Sequence, residues 1–157
     1  MIEKNKPMRK NFLLGLLFVG LLSAGLGPRA NGQQQIPWSP QELLAPRLLA
    51  AQLQLPENQR PLVLDMGPAG RIAGALSIGP AEEKANLEQM KKVLQAVDRD
   101  REVVVYCGCC PFAKCPNVRP AFQTLLDMGF TKPRLLNLSH NLKIDWIDRG
   151  YPMAADK

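Results

Sequence analysis

The four cysteines of this chain, Cys107, Cys109, Cys110 and Cys115, all lie within one short, proline-punctuated stretch. A thiol at a helix N-terminus can have its pKa lowered from about 8.5 into the range of about 3.5–7.5, so that it is a thiolate at neutral pH. Thiolates attack electrophilic sulfur, exchange with disulfides and bind soft metal ions. Isolated buried cysteines usually pack as small hydrophobic residues, but four in one polar loop favour a chemical role.

The segments on either side of the cysteines indicate how they are positioned. Val103–Tyr106 is a β-branched and aromatic run, typical of a strand buried on both faces. Asn117 or Pro116 is expected to cap a following helix that ends at Gly129. The apolar face of that helix is expected to contain Val118, Phe122, Leu125, Leu126 and Phe130. Cys107 comes first after the strand, at the edge where open α/β sheets bind ligands and helix N-termini favour negative charge, so we predict Cys107 as the nucleophile.

The first 32 residues have the pattern of a secretory signal peptide. A basic start is followed by an apolar run over residues 12–27 and by the small-residue site Ala30-Asn31-Gly32. The apolar run is shorter than the ~20 residues that a membrane-spanning helix needs, so we predict cleavage before Gln33, with an uncleaved anchor as the alternative. The mature protein is therefore expected to be periplasmic or secreted, and to contact a membrane only through an uncleaved signal segment.

The composition of residues 33–157 excludes some classes of partner. The full chain has a net charge of +6, but residues 33–157 carry 15 basic and 13 acidic side chains, a net charge of +2. This balance, with no basic stripe among aromatic residues, predicts no nucleic-acid partner. The length suits one domain, expected to be a monomer. Disulfides between such close cysteines would constrain little of the chain, so stapling is not their expected role.

Strand-like and helix-like segments alternate along the rest of the chain. Helices are predicted from Ser39, as N-cap of a capping box with Glu42, to about Leu53, over residues 81–98, and as short turns over 142–149. Strands are predicted at 61–66, within 71–79, at 103–106 and at 133–138. This alternation predicts an α/β fold with a mainly parallel sheet.

Several of these segments, in their order and spacing, resemble a single rhodanese-type domain from about residue 36 to residue 153. The resemblance is carried by Leu62-Val63-Leu64-Asp65, Gly70-Arg71-Ile72-Ala73-Gly74-Ala75, Val104-Val105-Tyr106-Cys107, Met128-Gly129-Phe130, Asp145-Trp146 and Gly150-Tyr151-Pro152. It implies an open parallel sheet of about five strands with helices on both faces. It also implies that Cys107, in a loop at the carboxyl end of a strand, carries a persulfide sulfur.

The chain departs from the family pattern in and around the active loop. Gly67 stands where the family's Asp-x-Arg motif has its arginine, and Arg71 replaces the family's histidine. Eleven residues separate Cys107 from Arg119, so the active loop is longer than usual. No cysteine has an arginine six positions further on, which excludes the phosphate-binding loop of the related phosphatases.

The remaining side chains near the loop have several predicted roles. Lys114 and Arg119 are expected to hold an anionic sulfur donor, with ordinary solvated charge as the alternative. Asp65 is expected to hydrogen-bond loop backbone, His140 to lie in a turn and Trp146 to lie in the core.

Cys109, Cys110 and Cys115 have three alternative roles. In the first, they are auxiliary thiols that resolve a Cys107 persulfide by thiol exchange. In the second, they form a disulfide. In the third, they bind a soft or borderline metal ion together with Cys107. Our main prediction has no metal and no cofactor.

These patterns predict an exported rhodanese-like sulfurtransferase or persulfide carrier. Cys107 would take sulfane sulfur from a donor such as thiosulfate and pass it to an acceptor thiol or to cyanide. The alternatives are a non-catalytic thiol module that uses Cys107, Cys109, Cys110 and Cys115 for redox exchange or metal binding, and a rhodanese fold retained as a binding scaffold.

Overall fold

Five short strands form one open, all-parallel sheet in the computed structural model, which describes residues 38–155. The strands are β1 (Leu43–Leu44), β2 (Leu62–Asp65), β3 (Leu76–Ser77), β4 (Val103–Tyr106) and β5 (Pro133–Leu136), in the spatial order β1-β5-β4-β2-β3. The predicted signal peptide, residues 1–32, lies outside the described residues. Within the described part of the chain, no helix has the length and apolar character needed to cross a membrane.

Within residues 38–155, four α-helices accompany the sheet: α1 (Pro46–Gln52), α2 (Lys84–Leu94), α3 (Val118–Asp127) and α4 (Leu142–Asp145). Short 3₁₀ segments lie at Glu57–Gln59, Phe112–Lys114 and Ile147–Arg149. The predicted helix over 81–98 is therefore shorter than expected, and the predicted turns over 142–149 divide into α4 and a 3₁₀ segment.

Strand β4 is the centre of the sheet, between β5 and β2, and all four of its residues are fully buried. Because side chains alternate along a strand, Val103 and Val105 pack on one face with α2 and α3, whereas Val104 and Tyr106 pack on the other with α1 and α4. The two hydrophobic clusters place helices on both faces of the sheet. The predicted α/β fold with an open parallel sheet is confirmed.

The first part of the predicted helix from Ser39 to Leu53 is wrong, whereas its end near Leu53 is confirmed. Leu43–Leu44 forms the edge strand β1, paired with β5, and the helix begins only at Pro46. Proline disfavours the helical conformation of the residue before it, and Ala45 is accordingly extended, with φ −66° and ψ 140°. Ser39 and Glu42 still interact, since the Ser39 backbone N–H donates to Glu42 Oε2 at 2.7 Å, but they close a single turn rather than start a helix.

The inward face of α3 also differs in one position from the prediction. Val118, Phe122 and Leu125 are buried, as expected, but Leu126 is 44% exposed. Ala121 and Thr124 are buried instead, and the Thr124 hydroxyl donates to the Pro120 carbonyl at 2.8 Å. That hydrogen bond lets a polar residue face the core without an unsatisfied donor.

The sheet has a topological switch point between β2 and β4. The chain leaves β2 toward the edge strand β3 over one face, and leaves β4 toward β5 through α3 on the other. In open α/β sheets, the crevice at the carboxyl ends of two such strands is where ligands bind. Asp65 ends β2 and Cys107 follows β4, so the two residues border this crevice.

Candidate functional site

The loop after β2 lies directly against Cys107. A Cβ atom added to Gly67 would lie 2.5 Å from Cys107 Sγ and would overlap the Cys107 carbonyl oxygen. Gly67 does not have a positive φ, so glycine is required here by the close approach of two backbones and not by conformation. Glycine at position 67 is therefore a packing requirement of this site.

Three of the four cysteine sulfurs lie close together. The Sγ atoms of Cys107, Cys109 and Cys115 are all within 4.8 Å of one another, and those of Cys107 and Cys109 are 3.2 Å apart. Cys107 and Cys115 are 2% and 4% exposed, whereas Cys109 is exposed. Cys110 is half-buried, with its sulfur 3.3 Å from that of Cys109, and does not belong to the group of three. All four are free thiols rather than disulfides.

Cys107 is the sulfur best prepared to carry negative charge. It accepts hydrogen bonds from the Cys115 thiol, from the backbone N–H and thiol of Cys109, and from the Asn117 side-chain amide at 3.6 Å. The hydrogen bond from Cys115 makes the largest contribution, and together these donors outweigh burial and lower the Cys107 pKa to about 5. The thiolate that we predicted for this position is thus favoured at neutral pH.

The neighbouring thiols are held in their protonated form. The hydrogen bond that Cys115 donates to Cys107, followed by burial, raises the pKa of the Cys115 thiol. Burial, followed by the hydrogen bond to Cys107, raises the Cys109 pKa to about 12. The group therefore contains one anionic sulfur, Cys107, and two neutral thiols that donate to it.

Asn117 is a site residue that the sequence analysis assigned only to helix capping. Its backbone is already helical, at φ −82° and ψ −33°, and its side chain makes no capping hydrogen bond. Instead, the amide nitrogen donates to Cys107 Sγ, and the amide oxygen accepts from the Glu82 backbone N–H at 3.2 Å. The only sequence signal was its position at the helix start, directly after Cys115-Pro116.

Asp65 and Tyr106, at the ends of β2 and β4, hold the loop that covers Cys107. Asp65 Oδ1 accepts from the Gly67 backbone N–H at 3.0 Å, as expected for a loop-bonding role. The buried Tyr106 hydroxyl accepts from the Ile72 N–H at 2.9 Å and donates to the Gly70 carbonyl at 3.3 Å. Burial raises the Asp65 pKa to about 7, against the Gly67 hydrogen bond and with the Cys107 charge adding to the shift.

The two predicted donor-binding cations lie after the cysteines, but in different surroundings. Lys114 ends the 3₁₀ segment of the loop and is exposed. Arg119 lies in the first turn of α3, with its guanidinium carbon 4.8 Å from the centre of the Trp38 ring. Their predicted contact with an anionic sulfur donor stays a prediction.

His140 lies apart from the cysteine cluster in its contacts. Its ring Nδ1 is 3.1 Å from Asp145 Oδ1, and its backbone N–H donates to Asp145 Oδ2 at 2.6 Å. These contacts close the turn before α4, where Asn141 Oδ1 accepts from the Ile144 N–H. Trp146 is fully buried, as predicted for a core residue.

Comparisons with known proteins do not place this chain in a family. A scan against protein-family models found no match to the chain, and a search of curated proteins found none.

Proposed function

We propose that this chain is an exported, rhodanese-like sulfurtransferase or persulfide carrier in which Cys107 moves sulfane sulfur. The observation that carries the proposal is the position of Cys107 Sγ. It lies at the switch point of a parallel sheet, accepts four hydrogen bonds from the side chains or backbone of Cys109, Cys115 and Asn117, and has a lowered pKa. A nucleophile activated by a depressed pKa is what the first step of sulfur transfer needs.

The first half-reaction loads the sulfur. The Cys107 thiolate attacks the outer sulfur of a donor such as thiosulfate, a new S–S bond forms, and the donor's S–S bond breaks with sulfite as the leaving group. The product is a Cys107 persulfide. Loop N–H groups and the positive end of α3 favour negative charge on the incoming anion and on the persulfide.

The second half-reaction returns the enzyme to its starting state. An acceptor thiolate attacks the outer sulfur of the persulfide, leaves with it as a new persulfide, and restores the Cys107 thiolate. With cyanide as acceptor, the product is thiocyanate. Because Cys107 is only 2% exposed, the proposed donor and acceptor groups are narrow, which agrees with a small anionic donor. The protein is proposed to act as a monomer, in the periplasm or outside the cell, without a cofactor.

The test is thiosulfate-dependent sulfur transfer to cyanide, measured with the reduced protein. Cys107→Ser should abolish transfer, and circular dichroism should show that the fold is retained. Cys110→Ser is the matched control, because its thiol lies in the same loop but outside the group of three. Transfer that survives in Cys107→Ser, or an inactive wild type across a panel of sulfur donors, would overturn the proposal.

A further inference from the structure

The three clustered sulfurs form a donor set that contains nothing but sulfur. Within residues 38–155, the group of Cys107, Cys109 and Cys115 includes no histidine and no carboxylate. Thiolates select soft ions such as Cu(I), whereas oxygen ligands suit harder ions. A structural zinc site is normally closed by four ligands in a tetrahedron, and the fourth thiol, Cys110, does not belong to the group. The composition of the cluster therefore favours a three-coordinate soft ion over zinc.

The spacing of the sulfurs suits one ion placed between them. With a metal–sulfur distance of about 2.3 Å, three sulfurs around one ion in a plane lie about 4.0 Å apart. The observed sulfurs lie within 4.8 Å of one another, and the closest pair, Cys107 and Cys109, is 3.2 Å apart. The side chain of Cys109 is exposed, so it can move to open this pair.

The surroundings already supply the hydrogen bonds that metal-bound thiolates need. Cys107 Sγ accepts from the Asn117 side chain and the Cys109 N–H, and Cys115 Sγ accepts from the backbone N–H groups of Asn117 and Val118. Such partners orient ligands and compensate their charge. Two of the ligands are buried, whereas Cys109 is exposed and gives an incoming ion its first contact.

We propose that Cys107, Cys109 and Cys115 bind one Cu(I) ion in a three-thiolate site. On binding, each thiol that is still protonated loses its proton to solvent, and the copper stays Cu(I) throughout, so no oxidant or reductant is consumed. The site goes beyond sulfur transfer and does not depend on it. Because Cys107 is a ligand, bound copper and a Cys107 persulfide exclude each other.

The experiment is an anaerobic titration of the fully reduced protein with Cu(I), against a competing chromophoric Cu(I) chelator and without any sulfur donor. We expect one Cu(I) per chain. Cys109→Ser and Cys115→Ser should each weaken Cu(I) binding at least about tenfold. Loss of a residue that only supports a ligand already lowers metal affinity by about 10–100-fold, and these two residues are ligands themselves. Cys110→Ser, the matched control, should leave the affinity within about twofold. X-ray absorption of the copper-loaded protein should show three sulfur neighbours and no nitrogen or oxygen.

Several results would overturn the copper site. These are no competition with the chelator, an equal loss of affinity in Cys109→Ser and Cys110→Ser, or four sulfur neighbours. Since Cys109 is exposed, its substitution tests the site even if Cys115→Ser fails to fold. The assays are separable: transfer without copper binding rejects only this inference, and copper binding without transfer rejects only the proposed function.

Discussion

The side-chain amide of Asn117 donates to the sulfur of Cys107 across 3.6 Å, while its oxygen accepts from the backbone of Glu82. One residue at the start of α3 therefore connects the reactive sulfur with the segment before α2. This connection gives the first prediction. Asn117→Ala should raise the Cys107 pKa by about 1, since a hydrogen bond to a charged group is worth ~1.5 kcal/mol or more.

The measurement is the pH dependence of Cys107 alkylation by a small reagent such as iodoacetamide, followed by peptide mass spectrometry. In the wild type, the rate should fall as pH falls through about 5, because the thiolate is lost there. In Asn117→Ala, the same fall should come at higher pH. Asn141→Ala is the matched control, since that amide caps α4 and has no contact of this kind with Cys107. An unchanged profile in Asn117→Ala would contradict the assigned role.

The contact between Gly67 and Cys107 gives the second prediction. Gly67→Ala should force the loop off Cys107, cost about 1–3 kcal/mol of stability as overpacking does, and change the rate at which Cys107 reacts. The comparison is Gly74→Ala, where the added methyl group meets nothing within 4 Å but φ is +73°, at a cost of about 1–2 kcal/mol. Denaturant unfolding measures the first effect and alkylation of Cys107 the second. Both variants should lose stability, and only Gly67→Ala should change reactivity.

The third prediction concerns the lifetime of a Cys107 persulfide. Cys109 Sγ lies 3.2 Å from Cys107 Sγ. Once Cys107 carries the outer sulfur, the Cys109 thiol can lose its proton to solvent and attack the inner sulfur, which forms a Cys107–Cys109 disulfide and releases hydrosulfide. The persulfide should therefore decay faster in the wild type than in a Cys109→Ser, Cys110→Ser, Cys115→Ser triple variant. A time course of intact masses after thiosulfate treatment follows the added sulfur. Turnover in the wild type should also require a reductant.

Single variants sharpen that prediction. Cys109→Ser alone should lengthen the lifetime, whereas Cys110→Ser should have little effect, because its sulfur lies outside the group of three. Equal lifetimes in wild type and triple variant, with no dependence on reductant, would remove any resolving role from these thiols.

The fourth prediction follows from the raised pKa of Asp65. A carboxyl with a folded-state pKa of about 7, against 3.8 for its ordinary value, binds its proton more tightly in the folded state. Its contribution to stability is present below pH 3.8 and is lost as pH rises through about 7. Asp65→Asn should remove this dependence, because an amide does not titrate. Urea unfolding at several pH values across this window measures it.

This measurement is best made in a Cys107→Ser background. The lowered pKa of Cys107 contributes stability that is present above pH 9.0 and is lost as pH falls through about 5. This change has the opposite direction to that of Asp65, and the two pH ranges overlap. With that thiol removed, its opposing effect is gone. Asp65 keeps the larger part of its shift, which comes from burial, so its effect on stability should remain but end somewhat below pH 7. The control is the Cys107→Ser, Asp65→Asn double variant. If the stability of Cys107→Ser changed with pH no more than that of the double variant, Asp65 would not have a raised pKa.

The fifth prediction concerns the N-terminal segment. If residues 1–32 are a cleaved signal peptide, N-terminal analysis of the exported protein should find Gln33 or a residue close to it. Replacing Ala30 and Gly32 by bulky residues should leave the uncleaved chain at the membrane. Intact Met1 on protein from the cytoplasm alone would rule out export.

The local pattern predicted the central part of the fold well. Val103–Tyr106 is apolar throughout, so a buried strand followed by Cys107 could be predicted from composition alone. The edge strand at Leu43–Leu44 could not, because leucines at these positions also suit a helix. Its identity depends on pairing with Leu135 and Leu136, some 90 residues further on.

Two contacts of the site were missed for a similar reason. Gly67 touches Cys107 across 40 residues of chain, because parallel pairing of β2 with β4 aligns the two strand ends. Asn117 reaches Cys107 only because the long loop folds back on itself. Neither contact leaves a periodic or compositional signal; each is a property of the folded sheet.

Cys107 and Cys109 differ in exposure, so the thiol with the lowered pKa is not the thiol that a molecule in solution meets most easily. Cys107 has a lowered pKa but is 2% exposed beneath Gly67, whereas Cys109 faces solvent. Bulky thiol reagents, and the cysteines of other folded proteins, will therefore meet Cys109 first. A labelling survey with large probes would therefore mark Cys109 and miss Cys107. By the same geometry, a molecule that reacts with the Cys107 sulfur is selected first by its width and only then by its reactivity.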